Sequence, residues 1–343
     1  MKCFLIAEAG VNHNGSRDLA LQLVDAAASA GADAVKFQTF RADNIVMPGT
    51  SKAEYQKTHT DTGDQLSMIR ALELSEDDHT ALAQHCAERK IEFMSTPFEP
   101  WATDLLIRLG MRRIKIASGE LTNRPFLEFL ARTGRPLILS TGMGTLDEVK
   151  RAVEWLRLAR REAGSSEDPG GWLTVLHCTS NYPAAPEDVN LRAMLALNSA
   201  LGVPIGYSDH TLGVEISFAA VAMGATVIEK HFTLDRSLPG PDHQASLDTQ
   251  QLAALVAGVR AIEKAMGDGT KAPRPSELPV RDLVRRSAFA GRDLAAGAVV
   301  SEDDLRFLRP GTGIGPEYVR SIVGRKLARA VSAGTMLCWE DLA

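Results

Sequence analysis

Eight short apolar runs, each closing on polar residues, recur through the first two thirds of this chain at 4–10, 34–40, 91–97, 113–119, 136–142, 173–180, 204–210 and 226–232. Between them lie Ala- and Leu-rich stretches with apolar residues three and four apart, among them 18–30, 77–89, 146–161, 214–223 and 250–266, the spacing of amphipathic helices. Eight strands alternating with helices predict an α/β fold, a closed (β/α)8 TIM barrel, with an open doubly wound sheet as the alternative. The turns Ala30-Gly31-Ala32-Asp33 and Met223-Gly224-Ala225-Thr226 suit a left-handed glycine cap between helix and strand, and they serve either architecture.

With 343 residues the chain is long enough for one large domain and a smaller one. After Met266 the run Gly-Asp-Gly-Thr-Lys-Ala-Pro-Arg-Pro-Ser-Glu-Leu-Pro concentrates Gly, Pro and charge, as a linker does. The expected layout is a barrel over 1–267, a linker over 268–285 and a small β-rich domain over 286–343. A net charge of −5 gives no basic field for nucleic acid or anionic lipid, so an anionic ligand must be met locally. An acid at Glu8 interrupts any leader-like start, and no apolar run approaches the roughly 20 residues of a membrane span, so a cytoplasmic protein is expected. Cys3, Cys86, Cys178 and Cys338 are scattered without CxxC spacing and read as reduced thiols in the core.

In a β/α barrel the chemistry sits where the strands end. Here those ends carry Glu8, Asn12 and His13; Lys36 and Gln38; Thr96; Lys115, Ser118 and Glu120; Ser140; Ser180 and Tyr182; Ser208 and His210; Glu229 and His231. Side chains two apart share a face, so Lys36 with Gln38, Ser208 with His210, and Glu229 with His231 point into the barrel together, while Lys230 faces the helices. Charges inside a barrel are costly unless paired or bound to a ligand, so their concentration at one end marks a pocket. Lys36 and Lys115 suit a phosphate or carboxylate, with a salt bridge to Glu8 or Glu120 as the plain structural alternative. His210 and His231, on neighbouring strand ends, can present neutral imidazoles to a divalent cation.

Taken with their order, these segments resemble the sialic acid synthase family, which includes N-acetylneuraminate, legionaminate and pseudaminate synthases. The resemblance spans nearly the whole chain and is carried by Ile6-Ala-Glu-Ala-Gly-Val-Asn-His-Asn-Gly15, Lys36-Phe-Gln-Thr39, Ser95-Thr-Pro-Phe98, Lys115-Ile-Ala-Ser-Gly-Glu120, Leu139-Ser-Thr-Gly-Met143, His177-Cys-Thr-Ser-Asn-Tyr-Pro183, Ser208-Asp-His-Thr211 and Glu229-Lys-His-Phe-Thr-Leu234, followed by Gly240-Pro-Asp-His243. Arg309-Pro-Gly-Thr-Gly-Ile314 resembles the antifreeze-like, or SAF, domain that follows the barrel in that family.

The resemblance implies a synthase that condenses phosphoenolpyruvate with N-acetylmannosamine to give N-acetylneuraminate and phosphate. N,N'-Diacetyllegionaminate or pseudaminate synthesis from a 2,4-diacetamido-6-deoxyhexose is the alternative. It implies His210 and His231 as ligands for Mn²⁺ or Mg²⁺. Lys36, Thr96, Lys115, Ser118, Ser140, Ser180, Tyr182 and Ser208 would hold phosphoenolpyruvate, and Gln38, Glu120 and Asp242 the open-chain sugar. Glu8 and Glu229 would serve as acid/base groups, and Arg309 would meet the sugar's N-acyl group across a domain-swapped homodimer. Some family members carry Asn where Ser180 stands, and this chain has Asn181 one position later. Asn44, Tyr55 and the 45–65 segment are the candidates for the sugar's far end. Two other readings are a barrel synthase acting on a phosphorylated sugar and a non-enzymatic binding module; the tail and the lack of a second basic cluster argue against the former, and Arg309, Glu317 and Arg320 against an ice-binding face.

Overall fold

A computed structural model describes residues 2–60 and 63–343, with the side chains of Tyr55, Thr58 and His59 outside that description. The chain divides into two compact units, Met1–Gly267 and Asp268–Ala343.

In the first unit, β1 (Phe4–Gly10), β2 (Ala34–Thr39), β3 (Glu92–Pro97), β4 (Ile114–Ile116), β5 (Leu137–Ser140), β6 (Leu173–Cys178), β7 (Ile205–Asp209) and β8 (Val227–His231) form one parallel sheet in the order β3-β2-β1-β8-β7-β6-β5-β4. Sequence neighbours are spatial neighbours all round, and the first strand pairs with the last through Phe4↔Val227 to Glu8↔His231. A doubly wound sheet reverses its order at a switch point, so this is the barrel. β3 and β4 lie side by side at the seam.

The strand-to-helix switches follow local chemistry. Ser16 caps the helix Arg17–Ala30, and Gly31 ends it at φ 81°. Capping boxes start three longer helices, Ser75 with Asp78, Thr145 with Glu148, and Asp248 with Gln251. At the base of the barrel Asp33 accepts from the Leu5 amide at 2.9 Å and pairs with Lys2 and Arg260, tying the turn into β2 to the last helix of the first unit, Thr249–Ala265.

Register explains how a polar pocket sits inside a barrel. Ile6, Ala34, Met94, Ile138, Leu176 and Val227 form a separate buried cluster that fills the interior. Two residues further along the same six strands stand Glu8, Lys36, Thr96, Ser140, Cys178 and Glu229, and all six line one cavity. A period of two thus stacks a polar layer directly on an apolar plug. Outside the strands a larger apolar core packs the helices on, each fully buried Leu or Ile contributing about 1.5–3 kcal/mol.

One connection is longer than the barrel needs. Between β2 and β3, three short helices, Ala42–Ile45, Glu54–His59 and Gln65–Arg70, precede the helix Glu76–Arg89. This excursion supplies Ile45, Gln56, Met68 and Ile69 to the cavity wall.

The second unit has its own core, including Ala288, Leu294, Ile314, Leu327 and Leu337. Its regular sheet is the antiparallel pair β9 (Ser287–Ala290) and β10 (Leu305–Leu308), extended by isolated bridges such as Leu294↔Val331. Residues 268–285 pack with this unit and include the helix Leu278–Val284, held where the Gly311 amide donates to the Asp282 carbonyl at 2.8 Å. All four cysteines are free; Cys3, Cys86 and Cys178 are buried and Cys338 is half-buried. No helix of the described residues is long and apolar enough to cross a membrane.

Candidate active site

The cavity at the strand ends has a volume of about 500 Å³. Its centre is a buried charge network. Lys36 Nζ stands 2.7 Å from Glu8 Oε2 and 3.6 Å from Glu229 Oε2, and donates to Thr96 Oγ1 at 2.9 Å. Lys115 Nζ is 3.2 Å from Glu229 Oε1, which also accepts from Ser208 Oγ at 3.0 Å. Lys115 therefore pairs with Glu229 and not with Glu120. Gln38 Nε2 lies 3.4 Å from Glu8 Oε1. Two cations and two carboxylates, each nearly inaccessible to water, offset one another's desolvation.

The two glutamates are pushed apart. Burial lifts the Glu8 carboxyl to about 7, against the pull of Lys36. For Glu229 burial pushes the same way, but Lys115 and Lys36 outweigh it and hold the group at about 2. Near neutrality one carboxyl is ionised and the other exchanges a proton, the division of labour that acid/base chemistry requires.

Next to this centre lie the histidines. His210 and His231 have ring centroids 5.4 Å apart, and Tyr182 lies tilted by 35° against His210 with centroids 4.1 Å apart. His210 Nδ1 donates to the Thr179 carbonyl at 2.7 Å, which leaves the lone pair on Nε2. His231 Nδ1 is buried without a hydrogen-bond partner, with Asp242 Oδ2 at 3.7 Å. Burial, with His210 and Lys36 adding to it, holds the His231 imidazole well below its usual range, so the ring is neutral. Burial also lowers His210, but the Cys178 sulfur 3.8 Å away and the Thr179 carbonyl hold it above its usual range. Burial pushes Asp242 up to about 6.

The ends of β4, β5 and β6 form a cradle of small polar groups. Ser118 Oγ accepts from the Gly142 amide at 3.0 Å, and Ser140 Oγ is buried without a partner. A Cβ at Gly142 would come within 2.1 Å of Ser180 Oγ and 2.9 Å of Ser118 Oγ, so this concavity exists only because residue 142 is glycine. Ser180 and Tyr182 line the cavity, while Asn181 is exposed and bonds its neighbour's amide.

Of the fifteen residues of the first unit to which the resemblance gives a role, fourteen line this cavity and Glu120 does not. Glu120 sits on the turn Ser118–Glu120, where Asn123 Nδ2 donates to its carboxylate at 2.6 Å. The strand stops at Ile116 and the turn follows at once, which takes that side chain out of the parity expected of a longer strand. Arg309 is exposed in the second unit, next to β10. Lys230 faces outward as its parity requires, 2.8 Å from Asp209 and donating to the Thr211 carbonyl. Asn44 is exposed and donates to Glu99 at 2.7 Å; Tyr55's side chain falls outside the described residues.

Sequence reading passed over Gly142, which shapes the cradle, and Cys178, Val11, Phe40, Ile69, Leu72 and Phe98, which line the cavity; of the apolar wall only Ile45 falls in the 45–65 segment expected at the sugar's far end. The same parity that selects Ser140 and Ser180 also selects Gly142 and Cys178. The wall depends on tertiary packing of the excursion and has no local signal.

Comparison with known proteins gives this site a family. Residues 23–271 match the NeuB family and residues 285–343 the SAF domain. The chain is 52% identical to the N,N'-diacetyllegionaminic acid synthase of Legionella pneumophila, over 100% of this chain and 95% of that one. It is 45% identical to the synthase of the same name from Campylobacter jejuni, over 94% and 95%. The crystal structure of N-acetylneuraminic acid (sialic acid) synthetase from Leptospira borgpetersenii, in complex with citrate, superposes with a TM-score of 0.70 at 35% identity, covering 82% of this chain and 90% of that one. The chain belongs to the NeuB family and carries a SAF domain after the barrel in sequence.

Proposed function

We propose that this protein condenses phosphoenolpyruvate with a 2,4-diacetamido-2,4,6-trideoxyhexose to give N,N'-diacetyllegionaminate and phosphate. The observation that carries the reaction class is the buried pairing of Lys36 and Lys115 with two glutamates of opposite protonation preference, beside two imidazoles in one cavity. The sugar rests on the two relatives that bear the legionaminic name at 52% and 45% identity. N-Acetylmannosamine, the sugar expected from sequence, has the support of a more distant N-acetylneuraminic acid synthetase, at 35%.

The division of work follows from the residues. Lys36 and Lys115, with the Ser118, Ser140 and Ser180 hydroxyls and the Gly142 concavity, receive the phosphate and carboxylate of phosphoenolpyruvate, a planar polyanion. A protonated Glu8 frees Lys36 to meet that charge. C3 of phosphoenolpyruvate then attacks the sugar aldehyde, water adds at C2, and the tetrahedral intermediate expels phosphate by C–O cleavage. Glu8, close to neutrality, moves the proton, while Glu229 stays ionised and fixes both lysines.

Among the described residues no group of three or more His, Cys, Asp or Glu is placed to hold a metal ion. The donors still suit one with open coordination positions: His231 has a buried, unpartnered Nδ1, and in the neutral ring of His210 the Nδ1 bond to the Thr179 carbonyl leaves the lone pair on Nε2. When bound by His210 and His231, Mn²⁺ or Mg²⁺ supplies Lewis-acid polarisation of the aldehyde oxygen.

The reading includes cytoplasmic work and a domain-swapped homodimer in which each protomer's Arg309 reaches the sugar's N-acyl group in the other. A fully active monomer in sedimentation would oppose that arrangement. The reading as a whole is tested by phosphate release from phosphoenolpyruvate with the diacetamido sugar, N-acetylmannosamine and the pseudaminate precursor. The highest kcat/KM is expected on the first; release that needs no sugar would overturn it.

A further inference from the structure

We infer that the apolar wall of the cavity is the specificity element for the sugar's far end, and that it selects a 6-deoxy terminus over a hydroxymethyl or phosphorylated one. The inference rests on the synthase reading above and adds the residues that choose the substrate.

The barrel mouth is divided into sectors. The ends of β4 to β6 carry the anion cradle, and the ends of β7 and β8 the histidines. The remaining ends, of β1, β2 and β3, are followed by Val11, Phe40 and Phe98, which are apolar. These three pack with Ile45, Ile69 and Leu72 of the excursion as one hydrophobic cluster separate from the main core. Phe40 and Phe98 meet edge to face with centroids 6.0 Å apart. All six residues line the cavity, so the cluster is a wall facing a polar centre.

The six apolar side chains offer nothing to a hydroxyl or a phosphate; beside them the excursion also puts on the cavity Gln65 and Gln56, whose Oε1 accepts from the Ala53 amide at 3.0 Å, and neither carries a charge for a phosphate. Among the described residues, the cavity's lysines are Lys36 and Lys115; both belong to the central network, and no arginine lines it. Lys52 lines an adjoining cavity that shares Met68, Leu72 and Pro241 with this one, and donates to Thr60 at 3.0 Å. If the anion occupies the β4–β6 sector and the aldehyde lies by the histidines, the chain of the sugar runs toward β1–β3. Its last carbon then meets the wall. A methyl gains from burial there, whereas a hydroxyl loses its water without a partner.

An apolar pocket discriminates only moderately against an added hydroxyl, on the order of 10- to 100-fold in kcat/KM. The test is therefore a matched pair differing at C6 alone: 2,4-diacetamido-2,4,6-trideoxymannose against its 6-hydroxy counterpart. The wild type is expected to prefer the 6-deoxy sugar by about that factor and to leave the 6-phosphate untouched. Ile45→Thr and Ile69→Thr, both at half-buried positions, are expected to shrink the ratio several-fold while KM for phosphoenolpyruvate stays unchanged. A ratio near one in the wild type, a ratio that neither variant moves, or turnover of the 6-phosphate would each overturn the inference. Should neither diacetamido sugar react, the legionaminate reading fails by itself. N-Acetylmannosamine against its 6-deoxy counterpart then poses the same question of the wall, with preference for the 6-deoxy sugar supporting it and indifference overturning it.

Discussion

Replacing Glu8 with Gln should yield a protein that is more stable than the parent above neutrality and nearly inactive. In the folded protein burial lifts this carboxyl from 4.5 to about 7. Between those limits the native state binds a proton that the unfolded chain has released. The stability tied to that proton is complete below about pH 4.5 and is lost as pH rises through 7; the difference is worth roughly 3 kcal/mol. Gln keeps the shape of the protonated acid and cannot ionise, so it escapes the loss. Glu229, held at about 2, works in the opposite sense, and its contribution is lost only as pH falls below 4.5; it is common to both proteins and drops out of the comparison. Urea unfolding of the barrel at pH 5, 6, 7 and 8 should show a small gap at pH 5 that widens to roughly 2–3 kcal/mol in favour of the variant at pH 8. Phosphate release should fall by at least about 100-fold, the usual cost of losing a positioned proton carrier. A variant less stable than the parent at pH 8, or a gap that does not change with pH, would refute the argument that Glu8 is held against its own solvation for a catalytic purpose.

Other perturbations separate the parts of the site. His210→Ala and His231→Ala should each abolish phosphate release and weaken Mn²⁺ binding measured by calorimetry on the protein alone; retained binding and activity would remove both histidines from the metal site. Gly142→Ala puts a methyl where Ser180 and Ser118 leave no room and should raise KM for phosphoenolpyruvate at least about ten-fold with little change in the melting temperature, since the crowded groups are side-chain hydroxyls at the cavity edge. Lys230→Met leaves Asp209 buried and unpaired outside the cavity and should cost about 3–5 kcal/mol in urea unfolding, with KM for both substrates unchanged in the folded fraction.

Much of this was legible in the sequence because a barrel has simple rules. Each of the eight apolar runs holds a strand, and parity puts Glu8, Lys36, Thr96, Ser140 and Glu229 in one inward layer because a strand alternates faces regardless of its neighbours. Parity fails where a strand stops short. β4 ends at Ile116, so Glu120 leaves the pattern and bonds Asn123. Partner choice was legible only in part: a pairing of the lysines with Glu8 was expected as the structural alternative and Lys36 makes it, but both lysines also contact Glu229, on β8, which only closure of the barrel brings to β2 and β4. The apolar wall was the least legible part, being assembled from three loop residues and an excursion whose helices are too short to carry a periodic signal.

The central claim, that the cavity joins phosphoenolpyruvate to an aldose with loss of phosphate, is met most directly by phosphorus NMR with phosphoenolpyruvate carrying oxygen-18 in its bridging C2–O position, the diacetamido sugar and Mn²⁺. Phosphoenolpyruvate should disappear mole for mole with the sugar, and the label should appear in inorganic phosphate beside a product with the mass of N,N'-diacetyllegionaminate. Unlabelled phosphate, or phosphate released at the same rate without sugar, would contradict it.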